Sequence, residues 1–342
     1  MTTSGQRKYS SIGWGITRRC NLSCPHCYTS AAKTSTGELT TEECREIIDL
    51  MPGLGAENIG WTGGEPLLRK DLEELMRYAQ RYGITSSITT NGIPLTKRRV
   101  AKLAEVGLRA LQISLDGSTP EKNRNIRRAR LADFELVING AKMCLEAGLP
   151  VTLAMIISRD TIDDVMDYVA MARNLGVNSI RFCGFVPHGD AEDGEARHRL
   201  EFSDHHRELY ALVERLVDVE SPTIVFDAGH GPVPPGYSCH QCNAGTETFY
   251  ISDNGDVYPC TGLLYDRFKV GNLRLRPLLE LIDDPKMSEM ARYDHSQIHG
   301  HCRDCQYFRV CRGACRGATY AHTGDLNASF PVCLFRASLL ET

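Results

Sequence analysis

The sequence has no apolar run approaching the roughly 18–20 residues that a membrane-spanning helix needs. Its first stretch, Met1 to Ser11, is polar and lacks the apolar core of a secretory signal. Positive charge is not in surplus either: 39 Lys and Arg stand against 43 Asp and Glu, a formal net charge of -4. That balance gives no basis for binding nucleic acid or a membrane surface. At 42% hydrophobic and 24% charged residues the chain reads as soluble and globular, and 342 residues allow one large domain or two ordinary ones. The expectation is a cytoplasmic protein.

Cysteine is abundant, at 14 residues. Without an export signal, so many thiols point to metal ligation rather than disulfides. Cys20, Cys24 and Cys27 fall in C-x3-C-x2-C spacing, directly after the short apolar run Ile12–Thr17. Three thiolates this close suit one soft metal centre. A closed zinc site would want a fourth ligand, for which His26 is at hand, and three thiols cannot all pair as disulfides. A four-iron cluster held by three cysteines keeps one iron without a protein ligand, and an open iron is a reaction site. Cys44, Cys144 and Cys183 stand alone and read as small buried apolar residues.

From Ile12 to about Phe185 short apolar runs alternate with amphipathic stretches. Strands are expected at Ile12–Thr17, Asn58–Thr62, Thr85–Thr90, Ala110–Leu115, Val151–Ile157 and Ser179–Phe185. Helices are expected at Thr41–Met51, Asp71–Tyr82, Lys97–Val106, Leu131–Ala147 and Thr161–Leu175, several of them stopped by glycine. Alternation of this kind implies parallel pairing and right-handed crossovers, an α/β fold. Six units make a partial (β/α)6 TIM-type barrel, with ligands expected at the C-terminal strand ends, where the three-cysteine loop falls. A helix from about Asp204 to Val219 and a Pro/Gly-rich stretch, Ser221 to Tyr237, mark a boundary. The organisation expected is a barrel over 1–190, a linker with a bridging helix over 191–236, and a cysteine-rich domain over 237–342.

The other strand ends carry polar groups in series. Thr62-Gly63-Gly64-Glu65-Pro66 follows the second, Thr89-Thr90-Asn91-Gly92 ends the third and Ser114-Leu115-Asp116-Gly117 the fourth; Ser158-Arg159-Asp160 follows the fifth. Singly these are ordinary turn chemistry. Glu121 to Arg130 reads as a basic loop, either simply solvated or offering a bidentate carboxylate clamp, Arg124 first and Arg127 next. The sixth strand holds Arg181 and Cys183; the latter is a packed thiol or a hydrogen-atom donor. In the C-terminal field Cys239, Cys242, Cys260, Cys302, Cys305, Cys311, Cys315 and Cys333 make two groups of four, with a hairpin expected around Asn254-Gly255. Spacing alone leaves iron–sulfur clusters and zinc ribbons both open.

Cys20, Cys24 and Cys27, with His26 before the last cysteine and Tyr28 after it, resemble the signature of the radical S-adenosylmethionine (SAM) superfamily. Gly63-Gly64-Glu65-Pro66 resembles the motif that holds the amino group of SAM in that family. The resemblance implies that the open iron chelates SAM, that one electron cleaves it, and that the resulting 5′-deoxyadenosyl radical takes a hydrogen atom from substrate. It places Tyr28, Asn91, Ser114, Asp116 and Ser158 around SAM. From Cys242 onward the cysteines are similar to the seven-cysteine SPASM extension, associated with two auxiliary 4Fe–4S clusters. Carried over, Cys302, Cys305, Cys311 and Cys333 hold the distal cluster; Cys242, Cys260 and Cys315 hold the nearer one, with Cys239 the candidate fourth ligand outside the pattern. The cofactors implied are SAM and three 4Fe–4S clusters, about 12 irons per chain. A reductant such as flavodoxin or ferredoxin is the implied partner, and an oxidative outcome would use the auxiliary clusters as an electron sink.

For the substrate, SPASM peptide maturases often begin with a leader-binding domain, for which no room precedes Cys20. Sulfatase-maturing enzymes resemble one another in an Asp after the cysteine matching Cys260, where this chain has Thr261. A small molecule is therefore expected, and the arginines of 124–130 with Arg181 suit a carboxylate on it. The reactions in view are decarboxylation, oxidation or epimerisation of a sugar, nucleoside or tetrapyrrole side chain, with peptide crosslinking the alternative. A non-enzymatic metal scaffold leaves the open three-cysteine site unexplained.

Overall fold

The computed structural model describes residues 9–31, 36–191, 202–227, 242–291 and 293–333. Seven strands run parallel in chain order: β1 (Ser11–Thr17), β2 (Asn58–Gly63), β3 (Thr85–Thr90), β4 (Ala110–Ser114), β5 (Val151–Ile157), β6 (Ser179–Gly184) and β7 (Thr223–Phe226). Helices α1 (Thr41–Leu50), α2 (Leu72–Gln80), α3 (Lys97–Glu105), α4 (Pro120–Arg127), α5 (Leu131–Glu146), α6 (Val165–Leu175) and α7 (Phe202–Val217) fill the crossovers. The six expected units are present. Within 191–236, read from the sequence as a linker with a bridging helix, α7 is that helix and β7 carries the repeat one strand further. Only four residues of β7 are strand, too short a run to stand out after Ser221-Pro222.

The basic loop expected after β4 is instead helical. Thr119 caps α4 by accepting the Lys122 N–H, and Pro120 occupies the first turn, where its missing N–H costs nothing. Elsewhere the expected stops hold: α6 ends at Gly176, at φ 78°, whose N–H reaches the Ala172 carbonyl.

Side chains alternate along each strand. Ile12, Trp14 and Ile16 of β1, Ile59 and Trp61 of β2, Leu111 and Ile113 of β4, and Ile180 and Phe182 of β6 share one continuous core with the helices. The opposite face is small or polar. Gly15 lies beside Thr62, Thr89 beside Gln112, Gln112 beside Thr152, and Thr152 beside Ser179. A parallel sheet covered on both faces reads apolar on both. This one keeps a polar interior, the composition of a ligand chamber rather than a filled barrel.

The C-terminal part joins the same sheet. β8 (Thr248–Ile251), β9 (Asp256–Tyr258) and β10 (Gly271–Asn272) form the expected hairpin and one strand more, and β8 pairs parallel with β1, Ser11 opposite Thr248 through Trp14 opposite Ile251. The order is β10-β9-β8-β1-β2-β3-β4-β5-β6-β7, an open ten-stranded sheet whose ends do not meet. Beyond it α8 (Leu278–Ile282), α9 (Pro285–Ala291), α10 (Phe308–Cys311) and α11 (Arg316–Thr323) enclose two small cores. One holds Cys302, Cys311 and Cys333 with Ile298 and Phe330; in the other, Cys242 and Cys260 pack on Ala244, Leu263 and Phe268. Among the described residues no helix is long and apolar enough to cross a membrane.

Candidate functional site

The site begins with a fault in β1. Its register against β2 slips between Gly15 and Thr17, a bulge that turns the chain out of the sheet into the cysteine loop. Gly64 and Glu65 fasten that exit: the Gly64 N–H donates to the Thr17 carbonyl at 2.8 Å and the Glu65 N–H to the Arg19 carbonyl at 2.8 Å. A β-carbon on Gly64 would run into the Arg18 and Arg19 carbonyls. The glycine pair is thus demanded by close approach of the chain to itself, one step before Cys20. Pro66 then opens a short 3-10 turn, Pro66–Leu68.

Glu65 is fully buried, and its carboxylate is taken up by the protein. It accepts from the Leu67 N–H at 3.0 Å, the Thr90 hydroxyl at 2.7 Å and the Asn91 N–H at 2.7 Å. It pins the end of β3 to the end of β2. Asn91, so placed, donates to the Asn21 side chain inside the cysteine loop at 2.7 Å. Ser158 is buried in a turn where its N–H donates to Thr161 Oγ1, and Ser114 lies on the inner face of β4.

Asp116 and Arg127 form the charged centre. Arg127 Nη1 donates to Asp116 Oδ2 at 2.6 Å, His26 Nε2 lies 3.6 Å from the same oxygen, and the Ile156 N–H donates to Asp116 Oδ1 at 2.7 Å. Burial opposes the Arg127 charge, but Cys24 and Asp116 more than offset it and hold the guanidinium firmly protonated. Its Nε is buried with no hydrogen-bond partner. Arg124, the arginine favoured from the sequence, lies one helical turn before Arg127 and is exposed. Helical spacing explains the exchange, since a loop would have put the earlier residue nearer the strand end.

The three loop thiols act on one another. Burial pushes Cys20 up, and pushes Cys24 to about 11, with Arg127 pulling back and the Cys27 and Cys20 charges adding. Among the described residues no three Cys, His, Asp or Glu side chains lie close enough to grip a single ion. Three thiols on one loop suit a multi-iron cluster, which takes one thiolate per iron. Buried thiols that resist ionisation need a bound cation to become thiolates, and the donor set here fits that group.

Two tyrosines face the chamber. Tyr28 keeps 39% of its surface open, yet its hydroxyl is deep: burial and then the Cys27 charge push it up to about 12, against a hydrogen bond to Thr62. Tyr250, on β8, was not singled out from the sequence. Its ring crosses the inner face of β1 over Gly13 and Gly15 and lines a cavity of about 220 Å³ with Thr29, Gly63 and Gly64. The signal was there, since alternate glycines inside a strand mark a place where something large approaches. On β6, Arg181 and Cys183 share this face. Burial, then the Asp227 charge, drives the Cys183 thiol well up, and Arg181 opposes both. The loop after β6 lies on the cysteine loop, with the Asp190 N–H donating to the Cys27 carbonyl at 2.9 Å and the His188 ring 4.1 Å from that of Tyr265.

The C-terminal thiols fall into two groups. Cys260 is pushed well up by burial and by Cys242 and Cys315, and Cys315 reaches about 11 through burial and Cys242. Cys305 is raised by burial and by Cys302 and Cys311, while the Phe330 N–H donates to Cys302 Sγ at 3.4 Å and places Cys333 three residues beyond. Cys242, Cys260 and Cys315 thus act on one another, as do Cys302, Cys305 and Cys311. Cys239 lies outside the described residues.

A partial parallel barrel with a three-thiolate loop at its functional rim and two further cysteine sets defines an iron–sulfur enzyme. The chain belongs to the radical SAM superfamily and carries a SPASM domain: the family model for the Radical SAM superfamily matches residues 14–172, and that for the iron–sulfur cluster-binding SPASM domain matches residues 242–306. Among curated relatives it is 29% identical to the AdoMet-dependent heme synthase of Methanosarcina barkeri, over 95% of this chain and 96% of that protein. It is equally 29% identical to mycofactocin maturase MftC of Mycolicibacterium smegmatis, over 94% of this chain and 82% of that one. Of solved structures, anSMEcpe with bound AdoMet aligns at TM-score 0.76 and 18% identity, over 96% of this chain and 94% of that one. Streptococcus suis SuiB bound to its precursor peptide SuiA aligns at 0.75 and 16%, over 95% and 75%. At such identities the likeness to solved structures is one of fold.

Proposed function

We propose that this enzyme acts on a carboxylated small molecule, a tetrapyrrole side chain before a sugar or nucleoside, in an oxidative or decarboxylating step. The observation that carries this is Arg181. Its guanidinium stands on the inner face of β6 beside Cys183, Asp227 and Tyr28, where a substrate carboxylate would find a bidentate partner. Two relatives are named for tetrapyrroles, the heme synthase and an Fe-coproporphyrin III synthase of Methanosarcina barkeri, 29% identical over 94% of this chain. Haem and coproporphyrin both bear carboxylates.

In this reading Cys20, Cys24 and Cys27 hold the SAM-binding cluster, and Arg127 offers its unpartnered Nε to the SAM carboxylate. Glu65 orders the rim through three hydrogen bonds, and its Oε2, which accepts from the Asn91 N–H alone, would share the SAM ammonium with backbone carbonyls. Bound together, cluster and SAM supply a radical that removes one hydrogen atom from substrate. The chain's own part is to hold the substrate carboxylate at Arg181, to place Tyr28 and Tyr250 against the reacting carbon, and to keep water from it. An oxidised product also requires one electron to leave, and a cluster held by Cys242, Cys260 and Cys315 would supply an acceptor for it.

A second reading, peptide modification, is favoured by the mycofactocin maturase relatives. Both are tested by one anaerobic assay: reconstituted protein, SAM and a chemical reductant, scored for 5′-deoxyadenosine. A burst with porphyrins and carboxylated sugars or nucleosides supports the first reading. A burst with peptides alone overturns it.

A further inference from the structure

We propose that the surface over the Cys302–Cys311 segment is the docking site for a small acidic one-electron carrier protein. This rests on the reading of the distal cysteines as a cluster site. The segment is a succession of tight turns. The Cys305 N–H bonds to the Cys302 carbonyl at 3.3 Å, the Phe308 N–H to the Cys305 carbonyl at 2.9 Å and the Cys311 N–H to the Tyr307 carbonyl at 2.8 Å. Winding of this kind holds the thiols inward and throws the intervening side chains out. Those side chains are Arg303, Arg309 and Arg312, all exposed, against one carboxylate, Asp304. Several arginines elsewhere are paired: Arg45, Arg69, Arg77, Arg99, Arg127, Arg130, Arg274 and Arg276 each lie within ion-pair distance of a carboxylate. Among the described residues no ion pair engages Arg303, Arg309 or Arg312.

Two apolar side chains stand among these charges. Val310 is 59% exposed and Tyr307 40%, although both belong to or border the short helix α10. Basic residues around a small apolar centre, on a chain whose formal net charge is -4, make a local field opposite in sign to the whole. Such a patch steers an acidic partner and docks it in one orientation. What singles out an electron carrier is the thiol beneath. Cys305 is only half-buried, whereas Cys302, Cys311 and Cys333 are buried, so the distal set comes nearest the surface under this patch. At such a contact one electron crosses and no bond forms or breaks, so the site needs close approach and matched charge, and nothing more.

The test is binding by the iron-loaded full chain to an acidic flavodoxin and to an acidic plant-type ferredoxin, followed by calorimetry across a salt series. The triple variant R303E/R309E/R312E is compared with a control of equal charge change on a remote face, K97E/R98E/R109E. The proposal expects carrier binding that weakens steeply with salt, falls by about tenfold or more in the first variant and by less than about twofold in the control. It is overturned by equal loss in both variants, by no loss in either, by absence of carrier binding, or by binding of heparin but of neither carrier. Iron and sulfide counts on the same preparations report separately on the cluster reading, since charge reversal on exposed arginines leaves the thiols untouched.

Discussion

The Tyr250 side chain fills the space that a β-carbon on Gly15 would need, although 235 positions separate the two in the chain. The hairpin of the cysteine-rich module thereby places an aromatic ring on the floor of the barrel. Gly15→Ala should force that ring off its seat at about 1–3 kcal/mol, the usual cost of overpacking. A thermal shift of a few degrees would register it, and Tyr250→Phe should recover part of the loss by removing the hydroxyl in closest conflict. Unchanged stability in Gly15→Ala would mean that the ring is not held there.

Arg127 and Arg124 should separate cleanly. Arg127→Gln removes the partner of a buried carboxylate and the cation nearest Cys24, so 5′-deoxyadenosine formation should fall by about tenfold or more, while Arg124→Ala stays within about twofold. Equal effects would return the choice to the sequence-based preference.

Glu43 and Arg274 clasp α1 to the turn after β10, with Nε and Nη2 to the two carboxylate oxygens at 2.6 and 2.8 Å. The Arg274 hydrogen bond and the Thr40 N–H hold the Glu43 carboxyl down at about 2. A lowered folded-state value means that this stability is complete above the ordinary carboxylate range and is lost as pH falls toward about 2. The pair is part-exposed, so Glu43→Gln should cost only about 0.2–1 kcal/mol at neutral pH. That difference from the parent should shrink through the carboxylate range in thermal melts, and a constant gap down to the acid limit would refute the assignment.

Iron analysis of anaerobically reconstituted protein should give about 12 irons per chain, falling by about four in Cys305→Ser. Cys24→Ala should abolish SAM cleavage while leaving the C-terminal iron in place. Zinc in place of iron and sulfide would remove the basis of both cluster assignments.

The strand–helix rhythm was open to inspection because it rests on local periodicity. Ile12-Gly13-Trp14-Gly15-Ile16 alternates as a strand must, and the helix stops are glycines. The cysteine spacing was legible for the same reason, since loop ligands must be close in sequence. Two things were hidden because they depend on geometry set elsewhere. Arg127 outranks Arg124 only once residues 120–127 are known to be helical, although Thr119-Pro120 already signals a helix start. The roles of Gly64 and Glu65 emerged only when β1 was seen to pass within hydrogen-bonding distance. Tyr250 lies between these cases: its seat was written in the glycines of β1, its identity 235 residues away.

The parallel pairing of β8 with β1 has a consequence for biosynthesis. As the chain leaves the ribosome, Ile12, Trp14 and Ile16 emerge long before Thr248–Ile251, the strand that becomes their outer neighbour. Until then β1 is an unprotected sheet margin with ready hydrogen-bonding groups, the kind of surface through which nascent chains associate wrongly. The cysteine-rich module therefore covers the first edge of the barrel sheet as well as lying beside it. Cutting the chain before Thr248 would leave a sheet lacking the strand that seals it.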